Sequence, residues 1–177
     1  MSRRLLTALV AGLIVVPTLA SAQTKINIAG GASAPVGSLG DLTGIGYNAS
    51  GGVNFGGTTL PVTIRLEGGI NSFSFKNNVD GDIRIITGTA NAIFNLSKTP
   101  DSPYLIGGLG AYNRRRTSNN FAFDSGKTSL GISGGGGLRF PLSGISTFFE
   151  ARYHVMLGDS NTASNYQFVP ITFGIMF

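Results

Sequence analysis

The chain has 177 residues, of which 42% are apolar, only 12% are charged and 27 are glycine, with a formal net charge of +5 and neither cysteine nor tryptophan. A soluble domain of this size carries about 25% charged residues, so the sequence is short of ordinary solvated surface, yet too apolar for disorder. The absence of cysteine excludes a disulfide framework and a thiolate zinc site, and the small basic excess without a basic, aromatic-interleaved helix does not point to nucleic acid.

Residues 1–22 have the layout of a secretory signal. Arg3 and Arg4 form a positive start, Leu5 to Leu19 an apolar run, and Ala20-Ser21-Ala22 a small-residue cleavage site before Gln23. An uncleaved membrane anchor is the competing reading. It is disfavoured because the run contains Pro17 and falls short of the roughly 20 residues a spanning helix needs. The expected division is therefore a signal peptide at 1–22 and one domain at 23–177.

Eight segments with a period of two follow, approximately Lys25–Val36, Tyr47–Gly57, Leu60–Phe75, Asp82–Ser97, Pro103–Arg114, Lys127–Pro141, Ile145–Leu157 and Tyr166–Phe177. In the third, Val62, Ile64, Leu66, Gly68 and Ile70 alternate with Thr63, Arg65, Glu67, Gly69 and Asn71. In the seventh, Phe149, Ala151, Tyr153, Val155 and Leu157 alternate with Phe148, Glu150, Arg152, His154 and Met156. In the last, Val169, Ile171, Phe173, Ile175 and Phe177 alternate with Phe168, Pro170, Thr172, Gly174 and Met176. The fifth is ambiguous in phase, since Tyr104/Ile106 and Leu105/Leu109 both qualify as the apolar face.

Alternation alone fits either a soluble barrel with its apolar face inward or a membrane barrel with that face on lipid. The connections favour the second. Links after the second, fourth and sixth segments are short (Thr58-Thr59, Lys98–Ser102, Leu142–Gly144). Those after the first, third, fifth and seventh are polar and mostly longer (Gly37–Gly46, Lys76–Gly81, Arg115–Gly126, Gly158–Asn165). Short turns at one end and long loops at the other is the asymmetry of outer-membrane barrels. Tyr47, Phe73, Tyr104, Tyr112, Phe140 and Tyr166 lie near segment ends, where an interfacial aromatic girdle is expected. Gly134 to Gly137, inside a strand, relieve crowding in a lumen that eight strands leave barely wide enough for side chains.

The opening strand Gly30-Gly31-Ala32-Ser33-Ala34-Pro35-Val36-Gly37, the strand Gly107-Gly108-Leu109-Gly110-Ala111-Tyr112, the cleavage site and the final Ile171-Thr172-Phe173-Gly174-Ile175-Met176-Phe177 together resemble the small eight-stranded outer-membrane β-barrel proteins, the OmpA transmembrane-domain, OmpX and OmpW-like group. The resemblance implies an all-β, closed, antiparallel up-and-down barrel of eight strands in a Gram-negative-type outer membrane, with both termini periplasmic. It also implies an assembly signal at Phe173, Ile175 and Phe177, read by the barrel assembly machinery. It implies no single activity, because the group includes anchors, adhesins, small-solute pores and a few lipid-modifying enzymes.

Counted upward from the short turns, Arg65 and Glu150 lie at one height and Glu67 and Arg152 at the next. A charge facing lipid at the midplane costs roughly 2–4 kcal/mol, and an unpaired charge inside is also costly. The expectation is a lumen network of Arg65, Glu67, Glu150, Arg152 and His154, with Arg139 near the periplasmic mouth. His154 has Met156, not serine, two residues along the strand, so it is not expected to be catalytic. The expected function is structural or surface-interactive, without enzyme activity, cofactor or metal. The alternatives are a small-solute or hydrophobic-compound channel and a soluble exported barrel holding a ligand. Arg114, Arg115 and Arg116 at the base of the longest loop are candidates for contact with lipopolysaccharide phosphates. The loop partner is not specified by any motif.

Overall fold

The computed structural model describes residues 23–56, 62–76, 81–97, 99, 101–117, 126–142, 145–158 and 165–177. The expected signal peptide and most of the connecting loops and turns lie outside the described residues. The elements are β1 (Gln23–Val36), α1 (Ser38–Leu42), β2 (Gly46–Gly56), β3 (Val62–Ser74), β4 (Asp82–Asn95), β5 (Ser102–Thr117), β6 (Lys127–Leu142), β7 (Ile145–Met156) and β8 (Gln167–Met176). Every neighbouring pair is antiparallel, and β8 returns to pair with β1 from Asn27↔Met176 to Val36↔Gln167, closing the barrel in chain order. Closure leaves no free sheet edge. The β7–β8 ladder is interrupted opposite Pro170, whose nitrogen has no hydrogen to donate.

Alternation decides what each strand shows to either side. Ile26, Ile28, Val62, Ile64, Leu66, Ile86, Phe94, Leu105, Leu109, Leu130, Ile132, Leu138, Phe149, Ile171 and Phe173 are exposed on the outer face, each by 36% or more. Among the described residues, the charged side chains on that face are Asp82, Arg84 and Arg115, all at the loop end. The fifth segment resolves with Leu105 and Leu109 outward and Tyr104 and Ile106 inward.

The barrel interior is layered. At the loop end Leu39, Phe73, Ile83, Ile85, Tyr112, Met156 and Phe168 form an apolar cluster, against which Phe75 and Tyr166 pack. At the turn end Ile93, Tyr104 and Ile106 form a smaller one. Polar and charged side chains fill the section between. The expected aromatic girdle is therefore corrected at four positions, one of them Tyr166, which packs against the interior cluster at the loop end. Phe73, Tyr104 and Tyr112 face the lumen, because the ends of a closed eight-strand barrel need filling as much as its middle. Tyr47 does face outward and is 61% exposed.

Two devices fit these large rings in. Inward positions on the opposing strands are glycine where a ring lies flat. A Cβ at Gly131 would approach Tyr112 Cε2 to 2.6 Å, and one at Gly137 or Gly174 would run into Tyr104 or Phe148. Of the Gly134–Gly137 run, only Gly135 and Gly137 face the lumen. The second device is α1, one turn within the loop expected at Gly37–Gly46. Gly37, at φ 56°, turns the chain inward, and Leu39 becomes fully buried in the apolar cluster. Lys76 donates through Nζ to the Gly40 carbonyl, and Thr43 bridges to Phe75.

Candidate functional site

The site is the charged middle of the lumen. Arg65 and Glu67 stand two apart on β3, and Glu150 and Arg152 two apart on β7, so each strand points one cation and one anion at the axis. Arg65 Nη1 donates to Glu150 Oε2 at 3.0 Å, and Arg152 Nη2 donates to Glu67 Oε1. The square is completed by Arg65 Nη1 at 3.6 Å from Glu67 Oε2 and by Arg152 Nε at 2.8 Å from Glu150 Oε1. The last contact is close enough for strong attraction but poorly aligned as a hydrogen bond. The four side chains are between 0 and 6% exposed, and their formal charges cancel.

Neutral groups extend the network. Tyr104 donates its hydroxyl to Glu150 Oε2 at 2.7 Å. Arg65 Nε donates to Asn54 Oδ1 at 2.8 Å, and Asn54 Nδ2 donates to Asn27 Oδ1 at 2.8 Å. The Arg65 guanidinium also lies 5.1 Å from the centre of the Phe148 ring. Sequence reasoning found the four charges and missed Tyr104, Asn54, Asn27 and Phe148. Single inward polar residues carry no mark that separates a network member from a lumen filler.

The other two expected members flank the square. Arg139 is at the turn end, 5.5 Å over the Tyr104 ring, and donates through Nη1 to Asn95 Oδ1 at 3.3 Å. His154 lies toward the loop end, stacked on Phe168 at 4.9 Å, with Nδ1 2.9 Å from the Tyr112 hydroxyl. A cavity of about 20 Å³ between His154 and the square is lined by Asn48, Ser50, Asn71, Thr87 and Arg152. It is large enough for one water, and the buried Asn48 Oδ1, Ser50 Oγ, Arg152 Nη1 and His154 Nε2 have no hydrogen-bond partner among the described residues. The described residues include no group of three or more His, Cys, Asp or Glu able to hold a metal ion.

The arginine run does not form one group. Arg114 lies 4.5 Å over the Tyr166 ring and Arg116 Nη2 donates to the Tyr166 hydroxyl at 2.9 Å, so both lie over the apolar cluster. Arg115 alone is on the outer face, where its Nε donates to Asn113 Oδ1 at 3.1 Å. Phe173 and Phe177 are outward and exposed, and Ile175 is outward and half-buried.

An eight-stranded closed barrel with an apolar exterior and a charged interior has the fold of the small outer-membrane β-barrels. The neisserial surface protein A (NspA) superposes with a TM-score of 0.68 at 16% identity, over 88% of this chain and 97% of that one. The Yersinia pestis attachment invasion locus protein Ail, solved with the heparin analogue sucrose octasulfate, gives 0.52 at 18% identity over 89% and 99%. The N-terminal barrel domain of Pseudomonas aeruginosa OprF gives 0.51 at 15% identity over 88% and 99%. At these identities the likeness establishes the fold. No family model and no curated protein matches the chain.

Proposed function

We propose that the chain is an integral protein of a bacterial outer membrane whose lumen is sealed and whose role is structural or surface-interactive, exercised through the polar loops. One observation carries this reading: ionised side chains point to the axis while the outer face, apart from its loop end, is apolar. A soluble barrel would reverse that arrangement, because exposed apolar patches of this extent are unfavourable in water. In this reading residues 1–22 are removed on export, both termini are periplasmic, and the outward Phe173, Ile175 and Phe177 present the assembly signal. The surrounding partners are outer-membrane lipid, including lipopolysaccharide, and the barrel assembly machinery.

The sealed lumen is supported by three consecutive layers, an apolar cluster at each end and a neutralised charge square between them. Catalysis is not part of the reading, since His154 is stacked under Phe168 and bonded to Tyr112 with Met156 along the strand. Two measurements on the refolded protein test it. Carbonate extraction of vesicles is expected to leave the protein in the membrane, and planar bilayers are expected to show no steady conductance steps. Release by carbonate contradicts the membrane reading; reproducible steps replace the sealed barrel with a small-solute channel.

A further inference from the structure

Strand alternation splits the Arg114–Arg116 run and builds a different pair. The Cα partner of Arg115 across the β4–β5 ladder is Arg84, and both are on the outer face. Like charges directly opposite on one face of an antiparallel pair repel, so the arrangement calls for an anion. Asp82 Oδ2 lies 3.6 Å from Arg84 Nη2 and also accepts from Ser72 Oγ at 3.2 Å, leaving the Arg84 side chain 46% exposed. Arg115 is held by a neutral group. Asn113 accepts from its Nε while donating through Nδ2 to Thr128 Oγ1 at 2.8 Å, which fixes the amide and aims the guanidinium. Among the described residues, the carboxylate at this pair thus contacts Arg84, while Arg115 has a neutral partner.

Their position selects the ligand. The register row runs Tyr47↔Ser72↔Arg84↔Arg115, beginning at an exposed outward tyrosine of the kind that marks a membrane–water interface. On the turn side of the pair the outer face becomes apolar, with Ile86 40% and Leu130 70% exposed. The pair stands where hydrocarbon would give way to headgroups. We propose that Arg84 and Arg115 jointly bind a phosphate of a phosphorylated outer-leaflet lipid of the lipopolysaccharide class, each planar fork donating to its oxygens. The proposal rests on the membrane reading above and moves the phosphate contact from the arginine run to this cross-strand pair.

The test uses the full refolded chain in detergent micelles, with bound lipid A counted by native mass spectrometry. Diphosphorylated lipid A is compared with its dephosphorylated form, and inorganic phosphate is added as a competitor. Arg84→Gln with Arg115→Gln is expected to weaken diphosphorylated lipid A binding by about tenfold. Arg114→Gln with Arg116→Gln is expected to change it by less than roughly twofold, because those guanidiniums are engaged with Tyr166. Replacing Arg84 and Arg115 by lysine, which keeps charge and loses the fork, is expected to give an intermediate loss. Equal binding by wild type and the Arg84/Arg115 glutamine variant overturns the proposal, as does equal binding of the dephosphorylated lipid. Displacement of lipid A by an equal concentration of inorganic phosphate also overturns it, making free phosphate the ligand. A protein that resists carbonate extraction yet shows none of this preference defeats the phosphate site alone; one that carbonate releases defeats the membrane reading.

Discussion

Neutralising Glu150 should be among the most damaging single changes in the barrel. Its carboxylate is 1% exposed and faces Arg65 at 3.0 Å, Tyr104 at 2.7 Å and Arg152 at 2.8 Å. Glu150→Gln leaves two buried guanidiniums facing the single carboxylate of Glu67, in a space with no room to rehydrate them fully. Removing one partner of a buried ion pair costs about 3–5 kcal/mol, whereas replacing the pair with apolar side chains is often close to neutral. The double variant Arg65→Met with Glu150→Leu removes one charge of each sign and keeps Arg152 paired with Glu67. It should therefore lie within about 2 kcal/mol of wild type, far from the sum of its two singles. The assay is urea unfolding in lipid vesicles, followed by the gel shift between folded and heat-unfolded barrel. A Glu150→Gln variant within about 0.5 kcal/mol of wild type, or a double variant equal to the sum of the singles, would refute the closed charge square.

Four further outcomes follow from the packing and from the outer face. Gly131→Ala places a Cβ at 2.6 Å from the Tyr112 ring and should cost about 1–3 kcal/mol in the same assay. Gly88→Ala, with nothing within 4 Å of its Cβ, should change stability by less than about 0.5 kcal/mol. Leu39→Ala should cost about 2–5 kcal/mol of local stability at α1; hydrogen exchange at the Asp41 and Thr43 amides, which bond to Gly37 and Leu39 carbonyls, should speed up more than exchange in the strands. Leu109→Arg, on the outer face, should cost about 2–4 kcal/mol in vesicles if that position lies near the bilayer midplane, and a neutral result would place it away from hydrocarbon.

The strands were legible where the lumen is polar. β3 and β7 alternate cleanly because Arg65, Glu67, Glu150 and Arg152 mark one face, and the same count from the short turns matched Arg65 with Glu150 and Glu67 with Arg152. β5 was not legible in phase, because Tyr104 and Ile106 fill the turn end of the lumen while Leu105 and Leu109 face outward, so both faces read as apolar. The same physics hides the roles of Phe73 and Tyr112, which sit near segment ends as girdle residues do but point inward. α1 leaves no helical period in five residues; it forms because Leu39 is buried, a contact set by distant strands. Arg84 is an isolated arginine in sequence, and only the β4–β5 register brings it beside Arg115.

Because the chain contains no cysteine, single labels can report whether the apolar face meets hydrocarbon while the ionised one faces the axis. Single cysteines introduced at Leu66, Gly88, Leu109 and Ile171 on the outer face, and at Thr89 and Ser133 on the inner face, are spin-labelled in lipid vesicles. Collision with dissolved oxygen, which concentrates in hydrocarbon, is compared with collision with a water-soluble nickel chelate. Oxygen-dominated relaxation is expected at the four outer positions, and weak collision with either reagent at the two inner ones. Nickel-dominated relaxation at Leu66 and Leu109 would contradict that orientation.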